Sequence, residues 1–168
     1  MVERLLKYFG IIFGICSIPT LFKKPSVKTW LPLFLINCLV NYIFDKTLVE
    51  TKQIKYPKRA LPNITKINIL YDFFICPYLS IWYCQSTYNS QLKGIIGKLI
   101  LFSVPQAMYE ILLERKTNSL EFTGQWKWLY SFFLVFVVKV ISRVLLEFLK
   151  GDNGKAQSNI NHQMIVRK

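Results

Sequence analysis

Five apolar runs, each near the length that crosses a membrane, take up most of this chain: residues 5–22, 30–48, 67–88, 95–113 and 128–148. A hydrocarbon core of about 30 Å needs roughly 20 apolar residues per helix. In lipid no water satisfies backbone N–H and C=O groups, so a spanning segment must bond its own backbone, as a helix does. The pattern therefore predicts an all-α fold, an integral membrane helical bundle of five transmembrane helices over residues 1–150. The polar stretch 151–168 lacks periodicity and is expected to be a disordered tail.

Composition agrees. At 168 residues, 52% hydrophobic content and a mean hydropathy of +0.30 leave too little polar surface to clothe a soluble domain. The thirteen Phe suit hydrocarbon, while the nine Tyr and four Trp suit the headgroup boundary. A net charge of +13 would fit a nucleic-acid binder. The positions of the basic residues argue otherwise: Phe22-Lys23-Lys24 and Tyr56-Pro57-Lys58-Arg59 close apolar runs, as residues flanking a span do near anionic lipid. The expected partners are membrane lipids, with anionic headgroups at the basic loops, and a second copy of the chain or another membrane protein; nucleic acid is not expected.

The first run is the least secure, because it carries Lys7 and two glycines and ends at Pro19. Its alternative is an interfacial helix, which leaves four spans. Glu3 in the N-terminal region and the lack of a small-residue cleavage site argue against a removed signal peptide. The last run carries Lys139, Arg143 and Glu147. Its fourteen Leu, Ile, Val and Phe residues supply roughly −6 kcal/mol against about +3 for a central Lys, so insertion is marginal but favoured. With five spans, eleven Lys and Arg lie on the face of the N-terminus and of loops 45–66 and 114–127, against nine on the other, or seven once Arg167 and Lys168 are discounted. This bias favours a cytoplasmic N-terminus in a bacterial cell membrane.

Ionisable residues within lipid need a partner, a water-filled cavity or a function. At 1.5 Å per residue, Asp72 lies roughly 7 Å and Glu110 roughly 6 Å from one face, on neighbouring antiparallel helices. Lys139 starts near mid-depth and can snorkel toward them. Asp72, Glu110 and Lys139, with Asp45 at the adjacent end of the second run, are thus candidates for an intramembrane polar cluster, either an ion pair fixing helix register or a cation or proton path. Lys139 is expected to pair with Asp72, Glu110 or both. Arg143 and Glu147 stand i, i+4 and can pair. Asn37 and Asn41 repeat that spacing and suit interhelical hydrogen bonds. Pro77 and Pro105, near the middles of the third and fourth runs, each remove a backbone donor and predict kinks.

Cys16, Cys38, Cys76 and Cys84 lie in apolar runs without C-x-x-C spacing and read as buried thiols. The sole histidine, His162, is in the polar tail, which speaks against a zinc site or a His-based catalytic arrangement, and no G-x-S-x-G, P-loop or G-x-G-x-x-G motif is present. No catalytic residue, metal or cofactor is expected. Asn63-Ile64-Thr65 fits a glycosylation acceptor, a match short enough to arise by chance.

Three stretches carry a resemblance: Lys24-Pro25 … Trp30; Tyr56-Pro57-Lys58-Arg59 … Pro62 … Tyr71-Asp72-Phe73 … Pro77 … Trp82-Tyr83 … Gln85 … Thr87-Tyr88; and Ser103-Val104-Pro105 … Glu110 … Leu113-Glu114-Arg115. In order and spacing the chain resembles, from about residue 10 to 145, a family of small, uncharacterised multi-pass membrane proteins of endospore-forming bacilli and clostridia. The resemblance implies a bacterial plasma membrane and carries over no activity. The expected function is a non-enzymatic structural or interaction component of that membrane. The alternatives are a small transporter or ion-conducting protein built on the Asp/Glu/Lys cluster, and an immunity protein against a membrane-active peptide.

Overall fold

The computed structural model describes residues 2–24, 27–58, 66–117 and 119–166, and the side chains of these except in 2–7 and 152–166. Among them the chain is mostly helical, as the apolar runs predict: α1 (Val2–Ser17), α2 (Val27–Glu50), α3 (Cys76–Ser86), α4 (Leu92–Lys116) and α5 (Trp128–Val166). A 3-10 turn, Ile18–Phe22, continues α1, because Pro19 supplies no donor and Thr20 Oγ1 instead donates to Ser17 O at 2.6 Å. A π-helical turn, Tyr71–Ile75, leads into α3. Two-residue strands β1 (Ile54–Lys55) and β2 (Glu121–Phe122) pair antiparallel, with Ile54 opposite Phe122 and Lys55 opposite Glu121.

The helices alternate in direction. The β1–β2 ribbon ties the loop after α2 to the loop after α4 at one end of the bundle, and Thr123 locks it there by donating to Gln53 O (2.8 Å) and Lys52 O (2.7 Å). Lys52 and Gly124 turn the chain at φ 57° and 63°, a left-handed conformation that glycine adopts without strain. At the other end Gln85 Nε2 donates to Thr20 O (2.7 Å), Trp30 packs on Tyr88, and Lys150 Nζ donates to Tyr88 O (2.6 Å), which gathers the 3-10 turn after α1, the end of α3 and the middle of α5 with the start of α2.

Polarity is inverted relative to a water-soluble bundle. On α2 the exposed residues include Leu31, Leu35, Leu39 and Ile43, a stripe at four-residue spacing; on α4 they include Leu92, Ile96 and Ile100; on α5, Leu129, Phe133, Val140, Val144 and Phe148. The buried set includes Asn37, Asp72, Ser80, Ser103, Gln106, Ser131, Lys139 and Ser142 beside an aromatic and aliphatic core of Trp30, Leu33, Tyr78, Ile81, Tyr83 and Leu146.

Among the described residues two helices, α2 and α4, are long and apolar enough to cross a membrane by length and composition, against the five spans predicted. The difference has local causes. The apolar part of the first helix is the short stretch Tyr8–Phe22. The third run is broken into the π-helical turn and an α3 of 11 residues. The last run lies in α5, which does not stop at its end but continues to Val166, through the stretch expected to be disordered; extending an established helix adds a hydrogen bond per residue without a new nucleus.

Candidate functional site: a buried carboxyl cluster

Asp45 comes from the last third of α2, Asp72 from the π-helical turn and Glu110 from the C-terminal half of α4, and helix alternation brings all three to the ribbon end of the bundle. Asp72 is only 1% exposed. The Asp45 and Asp72 carboxyls lie within hydrogen-bonding reach of each other. Tyr56, just past β1, donates its hydroxyl to Asp45 Oδ2 at 2.5 Å, and Tyr71 donates to Glu110 Oε1 at 2.6 Å. Ser131 on α5 lines the same small cavity as Glu110. Each carboxyl is thus met from a different element, which fixes the register of α2, α4 and the turn before α3. Burial beside Asp45 and Asp72 pushes the Tyr56 phenol well above its usual range, so it stays a donor.

A small cavity of about 30 Å³ lies against Asp45, Tyr56, Asn68, Tyr71, Glu110 and Ser131. That is room for one or two waters among polar partners. Asp72 Oδ2 has no hydrogen-bond partner among the described residues.

Lys139 joins the cluster at one remove. It is 1% exposed, yet it forms no ion pair with Asp72 or Glu110; its ammonium donates to Gln106 Oε1. Gln106 in turn donates to the Tyr71 hydroxyl (3.4 Å) and to Cys76 Sγ (3.3 Å), so the link from Lys139 to Glu110 runs through Gln106 and Tyr71. The predicted direct pairing fails because Gln106 sits one turn before Glu110 on α4, and a buried ammonium takes the nearest acceptor rather than stretching to a carboxyl a turn away.

The other predicted residues divide. Asn37 accepts from Ser142 Oγ at 2.5 Å, a bond between α2 and α5, while its amide nitrogen returns to Leu33 O. Asn41 spends its amide on Asn37 O in its own helix rather than between helices, because that carbonyl stands one turn back at 2.8 Å. Arg143 and Glu147 pair at 2.6 Å, with Arg143 Nε and Nη1 buried and unpartnered among the described residues. Pro77 occupies the first turn of α3, just after the π-helical turn, and the carbonyl its missing N–H would have bonded, Phe73 O, accepts from Cys38 Sγ at 3.7 Å. Pro105 lies within α4, and so does an unanticipated Pro32 within α2. Cys38, Cys76 and Cys84 are buried but Cys16 is exposed, on the outward face of α1. Asn63-Ile64-Thr65 lies outside the described residues.

Tyr56, Tyr71, Gln106, Ser131 and Ser142 complete the network and were not singled out from the sequence. Spacing held a signal for several: Gln106 is four residues from Glu110, and Ser131, Lys139 and Ser142 fall on one face of α5. Among the described residues no three His, Cys, Asp or Glu side chains are grouped so as to hold a metal ion. What the arrangement does chemically is supply a phenol donor to each of two carboxyls, Tyr56 to Asp45 and Tyr71 to Glu110, with the Asp72 carboxyl beside Asp45. Comparison with protein-family models, with curated proteins and with solved structures finds no match for this chain.

Proposed function

We propose that this chain is a five-pass integral membrane protein, with its N-terminus cytoplasmic, that serves as a non-enzymatic structural or interaction component of a bacterial plasma membrane. The observation that carries the reading is the inverted polarity: stripes of Leu, Ile, Val and Phe face outward on α1, α2, α4 and α5, while Asp72, Lys139, Asn37 and Gln106 are enclosed. In water so much exposed apolar surface would drive aggregation; in lipid it is the solvated face. The alternation of helix direction supports five crossings, since α1 with its 3-10 turn, the π-helical turn with α3, and the first half of α5 run alongside α2 and α4. The charges that weaken the last span as an isolated helix are covered by Gln106 and Glu147.

The ion-conducting alternative needs water to reach Asp72. The cavity on that side holds only about 30 Å³ and is bounded by Ile54, Leu113 and Leu120, which supports a packed bundle over a conduit. Placement in the family of spore-former membrane proteins rests on the motifs around Tyr71-Asp72-Phe73 and Ser103-Val104-Pro105. Alkaline carbonate extraction of membranes tests the proposal: the chain is expected to stay in the pellet and to need detergent, and its release into the supernatant would refute membrane integration.

A further inference from the structure

An apolar groove of about 370 Å³ runs between α1, α3 and α4, walled by Phe9, Phe13, Leu79, Leu101, Phe102 and Pro105. Pro105 is exposed in its wall, on the helix where the sequence predicts a kink. Where α1 passes into the 3-10 turn, a second recess of about 580 Å³ opens against Thr20, Lys23, Lys24, Gln85 and Ser86. Trp82 lines both. The two cavities therefore adjoin: an apolar channel that ends, at the bundle end away from the ribbon, in a polar recess with two exposed lysines.

We infer that this composite groove binds one anionic phospholipid, with an acyl chain along Phe13, Leu79 and Phe102 and the phosphate against Lys23 and Lys24. The inference rests on the membrane reading above. Length fits: from Phe9 to Thr20 is roughly 16 Å of helix, about half of a 30 Å hydrocarbon core and so the depth of a single leaflet. Charge fits too. Lys23 and Lys24 are exposed at the end of an apolar helix, and a third ammonium, Lys98, is held at the recess by Ser86 O (2.5 Å) and Ser90 Oγ (2.9 Å). The recess is built rather than incidental: Trp30 Nε1 donates to Lys23 O at 3.0 Å, and Gln85 Nε2 to Thr20 O at 2.7 Å, which hold the lysine-bearing turn against α3.

Trp82 supplies an independent observation. Its ring is fixed by Phe13 at 5.1 Å between centroids, yet its indole N–H is buried without a hydrogen-bond acceptor among the described residues. An indole is normally paired when buried. Trp82 lines both cavities, so a lipid lying across them would pass its ring between chain and phosphate, and a lipid oxygen is an acceptor of the kind the described residues do not provide.

The test uses the full chain, purified and delipidated in detergent, with thermal unfolding and native mass spectrometry as readouts. Phosphatidylglycerol is expected to bind as a single lipid per chain and to raise Tm, with phosphatidylcholine about tenfold weaker. Lys23→Gln with Lys24→Gln should erase that preference without changing Tm in lipid-free detergent. Leu101→Trp, which fills the groove from its exposed wall, should weaken both lipids. Equal binding of the two lipids, or a preference that survives the double lysine variant, overturns the proposal. Stabilisation by inorganic phosphate alone also overturns it, in favour of a free-anion site. Carbonate extraction separates this failure from that of the membrane reading: a chain that stays in the pellet but shows no lipid preference loses only the lipid site.

Discussion

The Lys139 ammonium, deep between α4 and α5, donates to the side-chain carbonyl of Gln106, and Gln106 turns its amide nitrogen toward Tyr71 and Cys76. One neutral side chain thereby satisfies a buried cation and links it to the Tyr71–Glu110 bond. Because a buried charge stripped of its partner is far costlier than a pair removed together, the two single variants should differ from the double. Gln106→Leu should destabilise by about 3–5 kcal/mol, Lys139→Met by about 1–3 kcal/mol, and the double variant by less than their sum. Denaturation in detergent checks this, and strictly additive losses would mean that the two side chains do not interact.

The β1–β2 ribbon makes a topological prediction. It joins the loops on either side of the α3–α4 pair, so Thr51 and Glu121 must share one side of the membrane, with Ser90 opposite. If the chain spans the membrane as proposed, the six Lys and Arg between residues 46 and 66 predict a cytoplasmic ribbon side. Single cysteines at these positions, in a chain freed of native cysteines, should be read by an impermeant thiol reagent in intact cells. Labelling at Ser90→Cys alone is expected; labelling at Thr51→Cys would invert the orientation, and opposite results for Thr51 and Glu121 would dismantle the alternating bundle.

Tyr56 predicts an alkaline signature. Its phenol is held above its ordinary value by burial first and by the Asp45 charge next, so the folded chain keeps a proton that the unfolded chain loses near pH 10. The contribution of Tyr56 is whole below about pH 10 and is lost as pH rises from there toward the folded value. Tyr56→Phe removes the hydroxyl bonded to Asp45 and should cost about 1–3 kcal/mol at neutral pH. The gap between wild type and variant should then narrow above pH 10, measured by unfolding at graded pH. A constant gap would show that the phenol does not titrate differently in the two states.

Much of the helical architecture could be read from the apolar runs, because a long apolar stretch with no polar alternation must bond its own backbone, as a helix does. The ends of α2 and α4 fall within a few residues of the apolar boundaries. The third run, residues 67–88, is helical throughout 69–86, but Pro77 cannot bond Phe73 O, and the chain accommodates this with a π-helical turn and the Cys38 thiol from α2, a partner distant in sequence. The carboxyls of the site were visible as charges out of place. Their donors were not, because Tyr56 reaches Asp45 only after the chain reverses at Lys52, and Gln106 becomes the partner of Lys139 only through the packing of α4 on α5. The two glycines of the first run were read as a weakness, whereas Gly10 and Gly14 stand four apart on the face that meets the turn before α3.

Those glycines carry the last prediction. A Cβ at Gly14 would lie 2.5 Å from Phe74 Cδ1 and 3.3 Å from its Cβ; one at Gly10 would lie 2.9 Å from Leu70 Cδ2. Small residues at this spacing let helices approach closely in a membrane, where dispersion between backbones replaces the hydrophobic effect as the force of association. The two positions differ in how the neighbour can yield. A Leu70 methyl can rotate away, so Gly10→Ala should be near neutral, the clash offset by the better helix propensity of alanine, about 1 kcal/mol. At Gly14 the obstacle is a ring crowded down to its Cβ, and Gly14→Ala should destabilise by about 1–3 kcal/mol through overpacking. Adding Phe74→Ala makes room and should return part of the loss, whereas the ring truncation alone should be mildly unfavourable. Thermal unfolding of the four variants in one detergent gives the comparison. If Gly14→Ala matches Gly10→Ala and Phe74→Ala rescues nothing, α1 does not pack closely against the π-helical turn, and the groove that α1 walls loses its shape with it.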